Sequence, residues 1–180
     1  MHTVLSRANA VFAFMLSVLS ACTFAAFLTT FFNEYSQHAD LAIQKALVKN
    51  LPDYTANREN HDLGYVHFDI DADVSPLFNW NVKQLFLYLV AEYQSPKKPR
   101  NEVVLWDKII LRGDQPVVNI KGQHPKYYFW DDGKGLKGNE NVTLRLFWNV
   151  VPNAGHLPLV PARSSHVFSF PNEYTTGKIQ

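Results

Sequence analysis

The hydrophobic pattern of the chain changes once, from a long apolar run to short runs in which apolar and polar residues alternate. Residues 8–33 carry no charge, and residues 11–32 are 22 mostly apolar positions. At about 1.5 Å per residue, a helix of that length covers roughly 33 Å, close to the ~30 Å hydrocarbon core of a bilayer. The run therefore predicts a transmembrane helix over residues 11–32, after a short N-terminal segment, residues 1–10.

A cleavable signal peptide is the alternative interpretation of this run. The apolar core of such a peptide is only about 7 to 15 residues long, so the observed length favours an uncleaved signal anchor. Arg7 precedes the run, whereas Glu34 and Asp40 follow it. Because cytosolic flanks carry the excess of positive charge, we expect residues 1–10 in the cytosol and residues 33–180 on the opposite side of the membrane.

Beyond residue 62 the pattern has a period of two. Apolar residues at positions 66, 68, 70, 72 and 74 alternate with His67, Asp69, Asp71 and Asp73, which predicts a strand with one buried face. Similar runs between Gly-, Pro-, Asn- and Asp-rich turns predict strands over residues 83–93, 102–111, 117–120, 126–130, 141–151 and 166–170. The run 83–93 also fits helical spacing, but its aromatic residues favour a strand buried on both faces.

Many short strands with such turns predict an all-β fold, a β-sandwich, for the domain that follows the transmembrane α-helix. Residues 33–180 form this domain, but the stretch 33–62 fits a short helix, an edge strand or a connector equally well. Cys22 is the only cysteine and lies in the apolar run, so no disulfide can form within the domain. We expect its hydrophobic core alone to hold it together.

Charge excludes one class of partner. Arg7 is the only charged residue before Glu34, and the remaining 16 basic side chains balance the 16 acidic ones. A domain without net charge does not attract nucleic acid through bulk electrostatics. We expect no nucleic-acid partner.

One sequon is present. Asn141-Val142-Thr143 is the only Asn-x-Ser/Thr sequence in the chain, and it predicts a glycan on Asn141. Asn141 stands at the start of a predicted strand, on the same face as Thr143, where a glycan would extend into solvent. The sequon also supports the orientation inferred from the charged flanks.

Small residues recur every four positions in the apolar run. Ala13, Ser17, Ala21 and Ala25 would line one face of the helix, and small side chains allow another helix to approach closely. We predict a helix-packing face here, although ordinary membrane-helix composition explains the same pattern.

Neither a metal nor a cofactor is expected. Asp69, Asp71 and Asp73 resemble the start of a calcium loop, but that loop needs Gly at its sixth position and Glu at its twelfth. Val74 and Trp80 stand there instead. Residues two apart on a strand share a face, so the three carboxylates are better interpreted as the solvated side of a strand.

Catalytic chemistry is not indicated either. Ser164, Ser165 and His166 are the nearest pairing of nucleophile and base, but adjacency in sequence does not place a nucleophile on a base. The segment 131–135, Asp-Asp-Gly-Lys-Gly, lacks the phosphate-loop pattern and is interpreted as a polar turn. We expect no catalytic residues.

Several longer segments together resemble one family. They are T-V-L-S-R-A-N at 3–9, F-N-W-N-V-K-Q-L-F-L-Y-L at 78–89, V-V-L-W-D-K-I-I-L-R-G-D at 103–114, D-D-G-K-G-L-K-G-N at 131–139, N-V-T-L at 141–144 and W-N-V-V-P-N-A-G at 148–155. Over nearly its whole length the chain is similar to the third subunit of the eukaryotic signal peptidase complex, the glycosylated accessory subunit.

This resemblance implies a single-pass type II protein of the endoplasmic reticulum membrane with a lumenal β-sandwich. It also implies an accessory role without catalytic residues, in support of a separate catalytic subunit that carries the Ser and His used to cleave signal peptides. The implied partners are that subunit and the other small membrane subunits of the complex.

Two other functions remain open at this point. A free-standing, membrane-anchored lumenal binding module would use the four Trp and eight Tyr residues to line a ligand groove. A hydrolase would use Ser164 or Ser165 as nucleophile. Detergent extraction separates the first function from a subunit role, because a binding module migrates alone and a subunit migrates in a larger assembly.

Overall fold

The structure, a computed structural model, describes residues 3–52, 54 and 59–177. In this part of the chain, one long helix, α1 (Val4–Phe31), precedes eight strands. The strands are β1 (Ala39–Pro52), β2 (Asn60–Asp73), β3 (Val82–Tyr93), β4 (Asn101–Leu111), β5 (Val117–Gln123), β6 (Phe129–Trp130), β7 (Val142–Pro152) and β8 (Leu159–Phe168). A short 3₁₀ turn, Ser75–Leu77, joins β2 to β3.

Helix α1 begins before the apolar run. Thr3 caps its N-terminus by accepting a hydrogen bond from the backbone N–H of Ser6, the role for which Thr and Ser are favoured at this position. Residues 4–10, predicted as a separate segment, are therefore helical, and the helix ends at Phe31. It is long and apolar enough to cross a membrane.

The strands form two antiparallel sheets. In sheet A, β2 pairs with β1 on one side and with β5 and β6 on the other. In sheet B the order is β4-β3-β7-β8. The predicted all-β sandwich with one N-terminal apolar helix is thus confirmed.

The core lies between the inner faces of the two sheets. Alternate residues of β7, from Val142 to Val150, are buried and meet the apolar face of β2, which includes Phe68 and Ile70. Strand β3 lies inside sheet B, between β4 and β7. Its inner face is buried, but Phe86 and Tyr88 on its outer face are only half-buried, so the prediction of burial on both faces is only partly correct. The alternation of apolar and polar residues along the strands therefore follows from the packing of two sheets, each with one face towards the core.

Two strand predictions need correction. Within 126–130 only Phe129–Trp130 is a strand, and it pairs with β2. The N–H groups of Lys126 and Tyr127 bond to the carbonyl of Leu105 in β4 instead. Strand β8 begins at Leu159 and ends at Phe168, rather than covering 166–170. Two proline residues, at 158 and 161, hide its first half, since proline argues against a strand.

The undecided stretch 33–62 contains an edge strand. Strand β1 pairs with β2 along nearly its whole length, after a connector at residues 33–38. Residues 53 and 55–58 lie outside the described part of the chain, as do 1–2 and 178–180 of the predicted terminal segments.

The sandwich has two distinct ends. We call the end beside the C-terminus of α1 the helix-proximal end; it is formed by residues 33–38, 74–81, 112–116 and 153–158. We call the opposite end the distal end; it is formed by residues 94–100, 131–141 and 169–174. Strands β3 and β7 run between the two ends, so about 10 residue steps, roughly 33 Å, separate them.

Candidate functional site

A buried asparagine joins α1 to the sandwich. Asn81, with 1% of its surface exposed, donates hydrogen bonds through Nδ2 to Oγ1 of Thr30 at 3.1 Å and to the carbonyl of Ala154 at 2.7 Å. Its Oδ1 accepts from the N–H of Ala154 at 3.1 Å. A buried amide is costly unless its donors and acceptors are paired, so this residue fixes the last turn of α1 against the β7–β8 turn.

Aromatic packing reinforces this junction. The rings of Phe27 and Phe31 lie 6.0 and 5.9 Å from the ring of His156. Gly155 has φ of +122°, and a Cβ there would lie 2.7 Å from Cδ2 of Phe27. Only glycine meets both the left-handed conformation and the close approach of the helix.

The connector between α1 and β1 is also held in place. The carbonyl of Tyr35 accepts a hydrogen bond from Nε1 of the core residue Trp148 at 2.8 Å. The hydroxyl of Tyr35 accepts another from Nδ2 of Asn79 at 2.9 Å. The connector between α1 and β1 is therefore fixed to the sandwich at Tyr35, through its carbonyl and its hydroxyl.

The outer face of sheet B is apolar over much of its area. Phe86, Tyr88 and Phe147 form a row of stacked rings with centroids 5.6 and 5.5 Å apart. Cross-strand neighbours continue this row: Ile109 is paired with Phe86 and is 52% exposed. Oδ1 of Asn149 is buried on this sheet without a hydrogen-bond partner among the described residues. Oε1 of Glu92 also accepts no hydrogen bond there, but it forms an ion pair with Nη1 of Arg145 at 3.8 Å.

The outer face of sheet A is polar instead. Asp69 accepts hydrogen bonds from the N–H of Gly122 at 2.6 Å and from the amide of Gln44 at 2.9 Å. The bond from Gly122, and then the one from Gln44, lower the pKa of Asp69.

The other two aspartates of this strand are bonded to protein groups as well. Asp71 accepts from Asn119 at 3.2 Å, and Asp73 from the N–H of Ser75 at 2.9 Å. Ser75, through its hydroxyl and then its N–H, lowers the pKa of Asp73. Within the described ranges, no group of three His, Cys, Asp or Glu residues is arranged to hold a metal ion.

Two buried carboxylates close the distal end. Asp62 is fully buried and accepts four hydrogen bonds, and its donors are Asn50, Tyr174 and the N–H groups of Leu136 and Lys137. Carboxylates buried in this way require such donors. The arrangement ties β1, β2, the 131–139 loop and the C-terminal segment together; we call it the distal clasp.

Asp131 is the second carboxylate of the distal clasp. Its Oδ1 accepts from the hydroxyl of Tyr93 at 2.8 Å, and its Oδ2 accepts from the N–H of Gly135 at 2.7 Å. Burial, and then this bond to Asp131, raise the pKa of Tyr93. The polar-turn interpretation of 131–135 is therefore incomplete, because Asp131 is buried while Asp132 is solvent-exposed and pairs with Lys98.

Asn141 lies at the distal end. It is exposed and immediately precedes β7, one residue before the strand begins at Val142. A glycan at this position would point away from α1. Glycosylation itself stays a prediction.

The predicted helix-packing face is uncovered in the described part of the chain. Ala13, Ser17, Ala21 and Ala25 are all exposed on α1. The hydroxyl of Ser17 donates to the carbonyl of Ala13 at 3.0 Å, so it is satisfied within the helix. A helix partner for this face stays a prediction.

The serine residues considered as nucleophiles lie on β8. The Ser164 hydroxyl donates to the carbonyl of Ala39 and accepts from its N–H. Ser165 is exposed and His166 is half-buried. No hydrogen bond joins Ser164 or Ser165 to His166 in the ranges that the structure describes, so the sequence neighbours are not brought together as a nucleophile and its base.

The helix–sandwich junction is the feature that sequence reasoning missed. The segment containing Gly155 has the composition of a surface turn, and Asn81 has no periodic signal around it. Both become recognisable only when residues 27–30 are brought beside residues 81 and 155. The distal clasp was missed for a similar reason, since Asp62 and Asp131 are far apart in the sequence.

The chain is similar in sequence to known proteins over nearly its whole length. The family described as Signal peptidase subunit matches residues 1–173. Signal peptidase complex subunit 3 of Drosophila melanogaster is 58% identical over 179 residues, covering 99% of this chain and 100% of that protein. The proteins of the same name from Gallus gallus and Homo sapiens are 56% and 54% identical over 178 residues, and each match covers 99% of both chains.

Proposed function

The chain belongs to the signal peptidase subunit family, and from this premise we propose that it is a non-catalytic accessory subunit of the signal peptidase complex. The proposal is carried by near full-length similarity, at 54% to 58% identity, to proteins named Signal peptidase complex subunit 3. In this role the chain assists a separate catalytic subunit that removes signal peptides from nascent secretory and membrane proteins.

The surroundings of Ser164 and Ser165 do not favour either serine as a nucleophile. Ser164 is engaged with the backbone of Ala39, and Ser165 is exposed on the outer face of sheet B. A serine nucleophile needs an adjacent base that takes its proton. Within the described ranges, neither serine is hydrogen-bonded to such a group.

We place α1 across the endoplasmic reticulum membrane with the N-terminus in the cytosol and the sandwich in the lumen. The position of Arg7 before the apolar segment supports this orientation. The exposed position of Asn141, at the end of the sandwich remote from α1, supports its use as a glycan acceptor.

The orientation is tested by following the glycan. Asn141→Gln and Thr143→Ala each remove the sequon, and we expect both to abolish the endoglycosidase-sensitive form of the protein. Glu140→Gln leaves the sequon intact and serves as the matched control. A sandwich that externally added protease digests in sealed microsomes would contradict the lumenal placement.

The catalytic subunit is the partner that we expect on the outer face of sheet B. This face has exposed apolar residues around the stacked rings, as the centres of interfaces do. The acceptor Oδ1 of Asn149, which has no hydrogen-bond partner among the described residues, would receive a donor from a partner, because buried polar groups are normally hydrogen-bonded. In the membrane, the other small subunits would contact the face formed by Ala13, Ser17, Ala21 and Ala25.

A subunit in this position would support catalysis by geometry. The cleavage site of a signal peptide must meet fixed catalytic groups to within about one ångström. A sandwich that is joined to its membrane helix and packed on the catalytic subunit would hold that subunit at a set height and angle.

Depletion and complementation test the proposal. We expect signal-peptide processing to fall when the chain is removed from cells and to return with the wild-type chain. Ile109→Asp should fail to restore processing and to co-purify with the catalytic subunit, because it places a carboxylate in the proposed interface. Val117→Asp, at a 42% exposed strand position of sheet A, is the matched control and should restore both. Unchanged assembly and processing without the chain would contradict the proposal.

A further inference from the structure

We propose that the helix-proximal end of the sandwich rests on the lipid headgroups of the membrane that α1 crosses. In this arrangement Phe32, Trp80 and Leu157 insert into the interfacial layer of the bilayer. The inference rests on the membrane anchoring stated under the proposed function, and it adds a lipid-binding surface to the sandwich. The partner is the bilayer surface itself.

The depth of this end follows from the helix. From residue 8, the first after Arg7, to residue 31, α1 has 24 residues, which cover about 36 Å at 1.5 Å per residue. The hydrocarbon core is about 30 Å thick, and the headgroup layers bring the total to about 40–45 Å. With Arg7 at the cytosolic boundary, Phe31 therefore reaches the headgroup layer of the opposite surface.

The sandwich has little freedom to stand away from that layer. Thr30, in the last turn of α1, bonds to Asn81 at 3.1 Å. Trp80 is the neighbour of Asn81 in sequence and is therefore held near the end of the helix. Leu157 follows His156, whose ring packs on Phe27 and Phe31. The junction thus places both apolar side chains close to the level at which α1 leaves the hydrocarbon.

The chemistry of this end fits an interface between lipid and water. Phe32, Trp80 and Leu157 are 87%, 61% and 60% exposed, which would leave three large apolar side chains in water if no lipid covered them. Aromatic residues, Trp above all, are enriched where a membrane meets water, because their rings suit the headgroup layer.

Cations accompany these apolar groups. Lys83 and Arg112 are exposed, and the N–H of Arg112 bonds to the carbonyl of Lys83 at 3.0 Å. The guanidinium of Arg112 also donates to the carbonyls of Asn79 and Val82, which lie on either side of Trp80 in the sequence. Basic side chains near the surface are attracted to lipid phosphates. The first acidic residue after α1 in the sequence, Glu34, is paired with Arg163 at 2.8 Å, which reduces its repulsion from the headgroups.

The inference is tested by tryptophan quenching. The full-length chain is reconstituted into phosphatidylcholine vesicles, with or without a fraction of lipid that carries bromine on the acyl chains near the carbonyl groups. We expect brominated lipid to quench part of the emission, and Trp80→Phe to lose most of that quenching. Trp130→Phe is the matched control: Trp130 is half-buried towards the distal end, so its removal should leave the lipid-dependent quenching intact.

The contrary results are distinct from those for the proposed function. If Trp80 emission is quenched by aqueous iodide and not by brominated lipid, in a chain that resists alkaline carbonate extraction, the inference is overturned while the anchor stands. If carbonate removes the chain from the vesicles, the anchor and the inference fail together. Protection of Trp80 only when other subunits are present would overturn the lipid assignment in favour of a protein contact.

Discussion

The two ends of the sandwich bury polar side chains for different purposes. At the helix-proximal end a neutral amide, Asn81, joins the sandwich to α1. At the distal end two carboxylates, Asp62 and Asp131, join strands and loops of the sandwich to one another. The bonds of Asn81 therefore determine where the domain lies relative to its helix. The bonds of Asp62 and Asp131 hold the strands and loops of the distal end together.

The largest effect should come from breaking the distal clasp. Asp62→Ala leaves four donors without their buried acceptor, and each such group costs about 1–3 kcal/mol. We expect the free energy of unfolding to fall by about 3 kcal/mol or more, measured by urea denaturation of the detergent-solubilised chain with tryptophan fluorescence. Asp71→Ala, on the exposed side of the same strand, should cost less than about 0.5 kcal/mol; equal losses for the two variants would contradict the clasp.

A second pair of variants should separate the effect on the position of α1 relative to the sandwich from the effect on the stability of the domain. Gly155→Val introduces a side chain that meets Phe27, whereas Gly113→Val has a similar left-handed backbone, φ of +100°, with open space around it. Both variants incur a backbone penalty of roughly 1–2 kcal/mol. Only Gly155→Val should loosen α1 from the sandwich.

This difference can be measured as a distance. Cys22 is the only cysteine of the chain, so Val167→Cys adds a single second site, exposed on β8, for spin labels. We expect a narrow distribution of the distance between the labels at positions 22 and 167 in the labelled parent and in Gly113→Val. In Gly155→Val we expect a broad distribution. A narrow distribution in all three proteins would show that the junction does not depend on Gly155.

A tyrosine hydroxyl can be removed at each end of the sandwich. Tyr174→Phe deletes a hydrogen bond to Asp62, and Tyr35→Phe deletes one to Asn79. Bonds to charged groups contribute about 1.5–3 kcal/mol and neutral ones about 0.5–1.5 kcal/mol. We therefore expect the unfolding free energy to fall more for Tyr174→Phe than for Tyr35→Phe, and the reverse order would weaken the distinction between the two ends.

The smallest expected effect lies away from both ends, on sheet A. Partial burial, then the neighbouring His124 and Lys45, lower the pKa of His67. The folded state therefore binds a proton less readily than the unfolded state, so stability falls as the pH drops through the unfolded value of about 6.5. His67→Gln should remove this component of the pH dependence between about pH 7 and 5.5, leaving the behaviour of both ends unchanged.

The sequence predicts the parts of this fold that depend on local pattern. The alternation around Phe68 follows from burial on one face of β2, and the apolar run gives a helix that is long and apolar enough to cross a membrane; both features are present in the structure. The sequence does not predict the start of β8, because Pro158 precedes the strand, Pro161 lies inside it, and proline argues against a strand. The region before β2 was ambiguous because an edge strand such as β1 is only partly buried.

The candidate surfaces were predicted less completely, because they depend on contacts between distant residues. Asn141 is identified by three adjacent residues, and the structure adds its place at the distal end. The roles of Asn81, Gly155 and Asp62 depend on partners that include Thr30, Phe27 and Leu136, which are 51, 128 and 74 positions away in the chain. No local pattern records such a partner, so burial and hydrogen bonding must be known first.

The most direct measurement of the accessory role is the mass and composition of the native particle. The chain would be purified through a C-terminal tag from membranes solubilised in a mild detergent, and the particle weighed by native mass spectrometry. A subunit of 20.6 kDa should be recovered in a much heavier particle that contains a catalytic signal peptidase subunit and processes a signal peptide. Recovery of the chain by itself, with that catalytic subunit found fully assembled elsewhere, would contradict the account.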